Sequence, residues 1–320
     1  MNNKTYELLH SVEDRLGFGE VTTPPELINK MLDTLPSDTW TDKTKTFLDP
    51  CFGNGTFLIE IIKRLRSHGH SMENIESRVS GYEISVRLFN KVQKLLSHYN
   101  FSILYNRDFL NTELDMKFDV VVGNPPYQDT TGASEGRAIW HLFVEEGFKL
   151  VKDNGYLSFV HPNSWRSGKK TFQGVLDIFT VHQMEHLVLG NYETGKEIFG
   201  VSTSVDWYVL KKAPNLRDTK IIDINGEVSH IRLEGVKRLP DSNINLEGSV
   251  LSFTGENTLN ILYNTKYHTQ KEYVSKEKSE EYKYPVVYTL RQGGPTFIWT
   301  NDNTKGHFGV PKVILGRGLG

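Results

Sequence analysis

Apolar residues along the first 210 positions follow two spacings in turn. Short β-branched or aromatic runs at 46–49, 79–83, 101–105, 118–123 and 155–161 read as strands. Between them, residues 57–66 (FLIEIIKRLR), 85–98 and 139–150 carry apolar positions three and four apart and read as amphipathic helices. Residues 186–189 and 204–210 read as the closing strands. Such alternation predicts an α/β domain built on a largely parallel sheet. After Lys211-Lys212-Ala213-Pro214-Asn215 the alternation gives way to polar segments such as 275–284. The expected division is therefore 1–213 as the larger domain and 214–320 as a smaller C-terminal one. Residues 311–320 read as a strand entering a loop, compatible with a short C-terminal domain or with a fragment of a longer chain.

Composition narrows the class. The chain has 37 basic and 39 acidic residues, 38% apolar and 11% aromatic content, and a mean hydropathy of −0.43. No apolar run is long enough to span a membrane, and the polar start MNNKTYELLH lacks the core of a secretory signal. A soluble, cytoplasmic protein with no membrane partner is expected. The single cysteine, Cys51, excludes an internal disulfide and a multi-cysteine zinc site. Eleven histidines show no HExxH or other ligand spacing, so no metal is assigned. Residues 1–210 hold 21 basic against 27 acidic side chains, whereas 211–320 hold 16 against 12. A basic C-terminal part is compatible with a polyanion partner, and chance drift of surface charge is the alternative.

Two segments carry the chemistry. The first is Asp49-Pro50-Cys51-Phe52-Gly53-Asn54-Gly55-Thr56-Phe57, at a strand-to-helix turn. Glycines there let the backbone approach a ligand at the carboxyl ends of parallel strands. A dinucleotide fingerprint would need a third glycine, and an Asp at the strand end suits an ammonium-bearing ligand better than a pyrophosphate. Glu83 ends the next strand, where an acid can take both ribose hydroxyls. Asp108, after the third strand, is placed to accept from an adenine amino group. Three acids on three successive strand ends point to a cationic adenosine ligand, a description that S-adenosylmethionine fits. A purely structural tight turn is the alternative for Gly53 and Gly55 taken alone.

The second segment is Asn124-Pro125-Pro126-Tyr127, after the apolar run 118–123. Two prolines remove backbone donors and hold the loop extended. The Asn124 side-chain oxygen and the Pro125 carbonyl then offer two acceptors for one exocyclic NH₂, and Tyr127 a ring face for a base. The alternative is a stiffened loop with an incidental aromatic.

With these residues the sequence resembles the γ-class, Taq-type N6-adenine DNA methyltransferases of restriction-modification systems. The resemblance begins at Gly19-Glu20-Val21-Thr22-Thr23-Pro24-Pro25-Glu26-Leu27, similar to that family's motif X. It continues through residues 49–57 (motif I), Gly81-Tyr82-Glu83-Ile84 (motif II), Asn106-Arg107-Asp108-Phe109-Leu110 (motif III) and 123–127 (motif IV), in γ-class order over about residues 17–210. It implies a Rossmann-like S-adenosylmethionine-dependent sheet with a smaller C-terminal target-recognition domain. It further implies methyl transfer to a flipped-out adenine in double-stranded DNA, alongside a cognate restriction endonuclease.

Carried onto this sequence, the resemblance implies that Thr23 and the loop Asp49, Pro50, Cys51, Phe52, Gly53 and Gly55 hold the amino-acid end of the cofactor. Glu83 would hold its ribose and Asp108 its adenine. Leu142 and Phe143, in the motif V-like His141-Leu142-Phe143, would pack the cofactor ring, with ordinary helix packing as the alternative. Asn124 and Pro125, fixed by Pro126, would bind the target nitrogen, and Tyr127 would stack on the base. Phe199, in Glu197-Ile198-Phe199-Gly200-Val201, is the candidate for the opposite face of that base, or else a core residue. Trp165, in His161-Pro162-Asn163-Ser164-Trp165, reads as an active-site loop residue, and Cys51 as a small loop residue rather than a nucleophile. Lys169, Lys170, Lys211 and Lys212 are candidate phosphate contacts. Arg291, Gln292, Asn301, Asn303, Lys305 and Arg317 are of the types that read base edges.

Three other readings compete. An Asn-Pro-Pro-Tyr loop also occurs in methyltransferases of rRNA guanine N2 and of release-factor glutamine. The Thr23-Pro24-Pro25 segment, the Asp49-Pro50 opening and the large C-terminal part weigh against these. A non-catalytic specificity or antirestriction protein is disfavoured by intact Asp49, Glu83, Asp108 and Asn124. A fused nuclease finds no room before residue 19 and no carboxylate–lysine cluster after 215.

Overall fold

The computed structural model describes residues 22–97, 103–130, 136–200, 202–242, 244, 267, 269–291, 294–305 and 308. By its contacts the chain divides into two compact units, Met1–Ser252 and Phe253–Gly320.

The first unit is built on a nine-stranded sheet: β1 (Phe47–Asp49), β2 (Val79–Tyr82), β3 (Leu104–Tyr105), β4 (Phe118–Gly123), β5 (Val151–Pro162), β6 (His182–Val188), β7 (Val205–Pro214), β8 (Thr219–Ile222) and β9 (Val228–Ile231). Their order across the sheet is β3-β2-β1-β4-β5-β7-β6-β8-β9. Strands β1 to β5 run parallel, and β7 is antiparallel to both its neighbours β5 and β6. The chain builds outward from β1 to β3 on one side and from β4 to β5 on the other. The reversal leaves a crevice between the carboxyl ends of β1 and β4, the place where open α/β sheets bind ligands.

Neighbouring residues on one strand point to opposite faces, and the two cores follow that rule. Phe47, Val120, Val122 and Val160 face one layer, while Leu48, Val121 and Phe159 face the other. The first layer contains α1 (Pro25–Asp33), α2 (Thr56–Ser67) and α3 (Val86–Leu95). In α2, Phe57, Leu58, Ile61, Ile62 and Leu65 are buried three and four apart, the stripe a surface helix turns inward. The second layer contains α4 (Trp140–Leu150) and α5 (Gln173–Val181). Trp140 is fully enclosed there, stacked between His161 at 4.3 Å and Phe172 at 4.9 Å. Helix α6 (Tyr192–Phe199) starts with a reciprocal Asn191–Thr194 cap and ends at Gly200 in the left-handed region, φ 69°. No described helix is long and apolar enough to cross a membrane.

Two expectations change. Strands β6 and β7 do not close the sheet, because β8 pairs parallel with β6 and β9 pairs with β8. Ile221 of β8 is fully buried in the shared core. The compact unit therefore continues past the expected 213/214 boundary, and Lys211 to Pro214 are the end of β7. Residues 311–320, expected as a strand, lie outside the described residues. The second unit contains a separate three-stranded sheet in the order β10-β12-β11 (Val274–Ser275, Gly294–Thr300 and Tyr284–Arg291).

Between β6 and α6 the backbone packs so closely that a Cβ on Gly190 would stand 2.2 Å from the Val205 carbonyl. Backbone cannot yield as a side chain can. Gly190→Ala is expected to cost about 2–3 kcal/mol, read as a lower urea midpoint at unchanged slope.

Candidate active site

The crevice gathers several predicted residues through direct contacts. Asp49 ends β1, is buried, and accepts through Oδ1 from the Cys51 backbone N–H at 3.1 Å. Its Oδ2 is buried with no hydrogen-bond partner. Burial, with Glu83 adding a like charge, pushes the Asp49 carboxyl up to about 8. An enclosed acid with one idle oxygen is suited to a cation that enters and pairs with it. Gly123 ends β4 beside it, and a Cβ there would meet Asp49 Oδ1 at 2.9 Å.

The loop after β1 turns on two left-handed residues, Gly53 at φ 52° and Gly55 at φ 79°. The Gly53 N–H donates to Glu83 Oε2 at 2.9 Å, and Ser85 N–H donates to Glu83 Oε1 at 2.7 Å. Glu83 is thus fixed by backbone between the first and second strand ends. Phe52 is buried under Gly81, where a Cβ would approach its ring to 2.7 Å. Pro50 is buried as well. The Cys51 thiol donates to the Asn124 carbonyl at 3.4 Å, and burial raises its pKa, so it remains a thiol rather than a nucleophilic thiolate.

Asn124 follows β4. Its Nδ2 donates to Thr23 Oγ1 at 3.0 Å, joining residues 101 positions apart, while its Oδ1 is buried and has no partner. Pro125 is buried and Pro126 exposed. Tyr127 is half-buried against the core; burial raises its phenol well above the ordinary value, with the nearby Asn124 amide opposing weakly. No hydrogen bond of normal geometry reaches its hydroxyl. Phe199, the last residue of α6, is half-buried against the same core face as Tyr127.

Other predicted residues are held by different contacts. Asp108 makes its contacts within its own loop, accepting from Leu110 N–H at 3.0 Å and Asn111 Nδ2 at 2.5 Å as the cap of a short turn. Phe143 stacks on Phe109 at 5.6 Å, both buried, while Leu142 is 38% exposed. Trp165 is a core residue rather than an active-site loop side chain: it is 1% exposed, with Nε1 donating to Asp206 at 2.9 Å. Lys211 sits opposite Tyr156, and Lys212 Nζ donates to the Val151 carbonyl at 2.8 Å. Both therefore lie toward the amino end of β5, away from Asn124. Gly19, Glu20 and Val21, the Arg291 side chain, Gln292 and Arg317 lie outside the described residues.

Two positions that brace the loops of this crevice escaped the sequence reading. Asn54 is buried; its Nδ2 donates to Thr22 Oγ1 at 3.3 Å, and its Oδ1 accepts from Lys91 at 3.3 Å. Asn106 donates to the Glu83 carbonyl at 2.7 Å and ties the third strand end to the second. An amide between two loop glycines, and another two residues before an acid, were the available signals.

This is the fold of the class I S-adenosylmethionine-dependent methyltransferases. A Listeria monocytogenes protein assigned to that class superposes with a TM-score of 0.50 at 19% identity, over 69% of this chain and 73% of that one. Residues 56–199 match the family model described as Eco57I restriction-modification methylase, so that stretch is similar to the restriction-modification methyltransferases. The type II methyltransferase M.VspI of Vibrio sp. (strain 343) is 26% identical over 211 residues, which cover 61% of this chain and 48% of that relative. The chain thus spans about half of that protein's length. The structure of a DrdV–DNA complex superposes with a TM-score of 0.54 at 17% identity, over 72% of this chain and 32% of that one.

Asp49 makes stability depend on pH with a defined sign. The unfolded chain ionises this carboxyl near pH ~4 and the folded chain near pH 8. Between those values the folded state binds the extra proton, so stability falls as pH rises and levels off above 8. Asparagine keeps the acceptor for Cys51 without titrating. The melting temperature of Asp49→Asn is expected to gain on wild type between about pH 4.5 and 8; a gap constant with pH would refute the assignment.

Proposed function

We propose that the protein is a site-specific DNA methyltransferase acting on adenine N6, with S-adenosylmethionine as methyl donor. The observation that carries the reading is the pair of buried, unpartnered oxygens, Asp49 Oδ2 and Asn124 Oδ1, on adjacent strand ends. One is suited to a cation and the other to an NH₂ group. The cradle supports the same cofactor: Gly53 and Gly55 keep the loop free of side chains, and Glu83 stands at the next strand end for ribose hydroxyls. Asp108 is assigned the adenine edge, which it would engage in addition to its turn contacts, and Phe143 with Leu142 the packing of the cofactor ring. Thr23 acts through Asn124, whose amide it orients. Pro50, Cys51 and Phe52 shape the loop.

When bound, S-adenosylmethionine supplies a sulfonium methyl group. The protein's part is to prepare the acceptor. An exocyclic adenine nitrogen is a poor nucleophile because its lone pair is delocalised into the ring. Asn124 Oδ1 and the Pro125 carbonyl accept its two hydrogens and draw the nitrogen toward a tetrahedral shape, which localises that pair. Pro126 keeps the loop extended, and Tyr127 stacks on the base, with Phe199 assigned to the opposite face. A base inside a duplex cannot reach such a site, so the target is flipped out at a cost of about a few kcal/mol that stacking partly offsets. Holding both reactants in place supplies much of the rate. Residues 214–320 are assigned target recognition beyond the strands they add to the main sheet. Double-stranded DNA as substrate, a cognate restriction endonuclease as partner and a cytoplasmic setting belong to the same reading.

Asn124→Ala is expected to leave S-adenosylmethionine affinity unchanged and to lower methyl transfer by a factor of about 10² or more, the usual loss for a positioned polar group. Single-molecule sequencing of DNA from an adenine-methylation-deficient host expressing each form reads the outcome. N6-methyladenine at one short motif, absent with the variant, supports the reading. Unmethylated DNA from a chain that binds S-adenosylmethionine, together with methylated RNA or protein glutamine, overturns it.

A further inference from the structure

We propose that Lys169, Lys170 and Lys237 form a clamp for the phosphodiester backbone of DNA at the edge of the site. The proposal rests on the reading of the protein as a DNA methyltransferase. Topology places these residues at one end of the sheet. Strand β5 runs parallel to β4, with Gly123 beside Phe159, and its carboxyl end continues as 163–172, which carries Lys169 and Lys170. Strand β6 is antiparallel to β7, as β5 is, so Gly190 at its carboxyl end lies at that same edge.

Three contacts bring the loop around Lys237 to the loop around Lys169. Leu239 N–H donates to the Arg166 carbonyl at 3.2 Å. A Cβ on Gly168 would stand 2.9 Å from the Lys237 carbonyl and 3.4 Å from Arg238 Cγ. The buried Arg166 guanidinium completes the join: it lies 3.0 Å from Asp206 and 2.5 Å from Asp241, and donates to the Gly190 and Pro240 carbonyls at 3.1 and 3.2 Å. The acids nearest in the two loops are therefore already engaged. Asp241 is paired with Arg166 and Glu234 with Arg232. Lys169, Lys170 and Lys237 are all exposed.

The cluster is also fixed relative to the Asn124 loop. The Tyr127 carbonyl accepts from Ile139 N–H at 3.1 Å, next to Trp140, and Trp140 stacks on Phe172 just beyond Lys170. Exposed lysines on loops joined to the Asn124 loop by these contacts, with no ion pair among the described residues, fit a polyanion that must be held while one base leaves the stack. Lys211 and Lys212 are excluded by their place toward the opposite strand ends.

The test is fluorescence anisotropy with a labelled random-sequence duplex of about 30 base pairs, titrated over about 50–200 mM NaCl. Lys169→Gln/Lys170→Gln/Lys237→Gln is expected to reduce the salt slope by about two to three and to weaken binding tenfold or more. The matched variant Lys43→Gln/Lys94→Gln/Lys149→Gln, at exposed positions elsewhere, should keep the wild-type slope. S-adenosylmethionine affinity, unchanged in both, verifies the fold. A clamp variant with wild-type affinity and slope, in a protein that methylates DNA, overturns the clamp and leaves the proposed function standing. A wild type that neither binds the duplex nor methylates DNA overturns both.

Discussion

Asp49 and Gly123 stand side by side because β1 and β4 are neighbours at the point where the strand order reverses, and there is no room for a side chain on Gly123 without displacing the Asp49 carboxylate. Much of the site depends on that absence. It lets the Asp49 oxygen take the Cys51 N–H, which starts the turn through Gly53 to Gly55. It also brings the end of β4 close enough for the Cys51 thiol to reach the Asn124 carbonyl. A single missing methyl group thus connects the loop assigned to the cofactor with the loop assigned to the base.

The electrostatics of the crevice are those of a site prepared in advance. Asp49 and Glu83 face the same loop, and burying two acids together is unfavourable unless each is compensated. Glu83 is compensated by two backbone N–H donors. Asp49 has one, and takes up a proton instead. Some folding free energy is thereby held in reserve, to be recovered when a positive group arrives, as buried ionisable groups at functional sites commonly allow.

How far the sequence could be read depended on the range of the interaction. Strands β1, β2 and β4 and helices α2 and α4 were visible because their apolar spacing is local and strong. The glycine loop and Asn124 were visible because such residues are seldom placed together without chemical reason. Strands β8 and β9 were not, since a short run such as Thr219–Ile222 becomes a strand only by pairing with β6, thirty residues earlier in the chain. Trp165 looked like an active-site aromatic because it follows His161-Pro162; only Asp206, on a different strand, shows that its indole points inward. Lys211 and Lys212 looked equivalent to Lys169 and Lys170 by charge, and strand direction alone separates the two pairs.

The bond between Asn124 and Thr23 has a consequence for what the crevice admits. A carboxamide has a donor end and an acceptor end of almost the same shape, and a freely turning one would greet a ring carbonyl as readily as a ring amine. With the nitrogen engaged by Thr23, the oxygen is left facing inward beside a proline-stiffened backbone that offers no N–H at Pro125 or Pro126. A partner bearing a carbonyl there would meet lone pairs against lone pairs. On the proposed reading the crevice discriminates by polarity before any question of size arises, and it does so through a buried threonine bonded to the asparagine's far side.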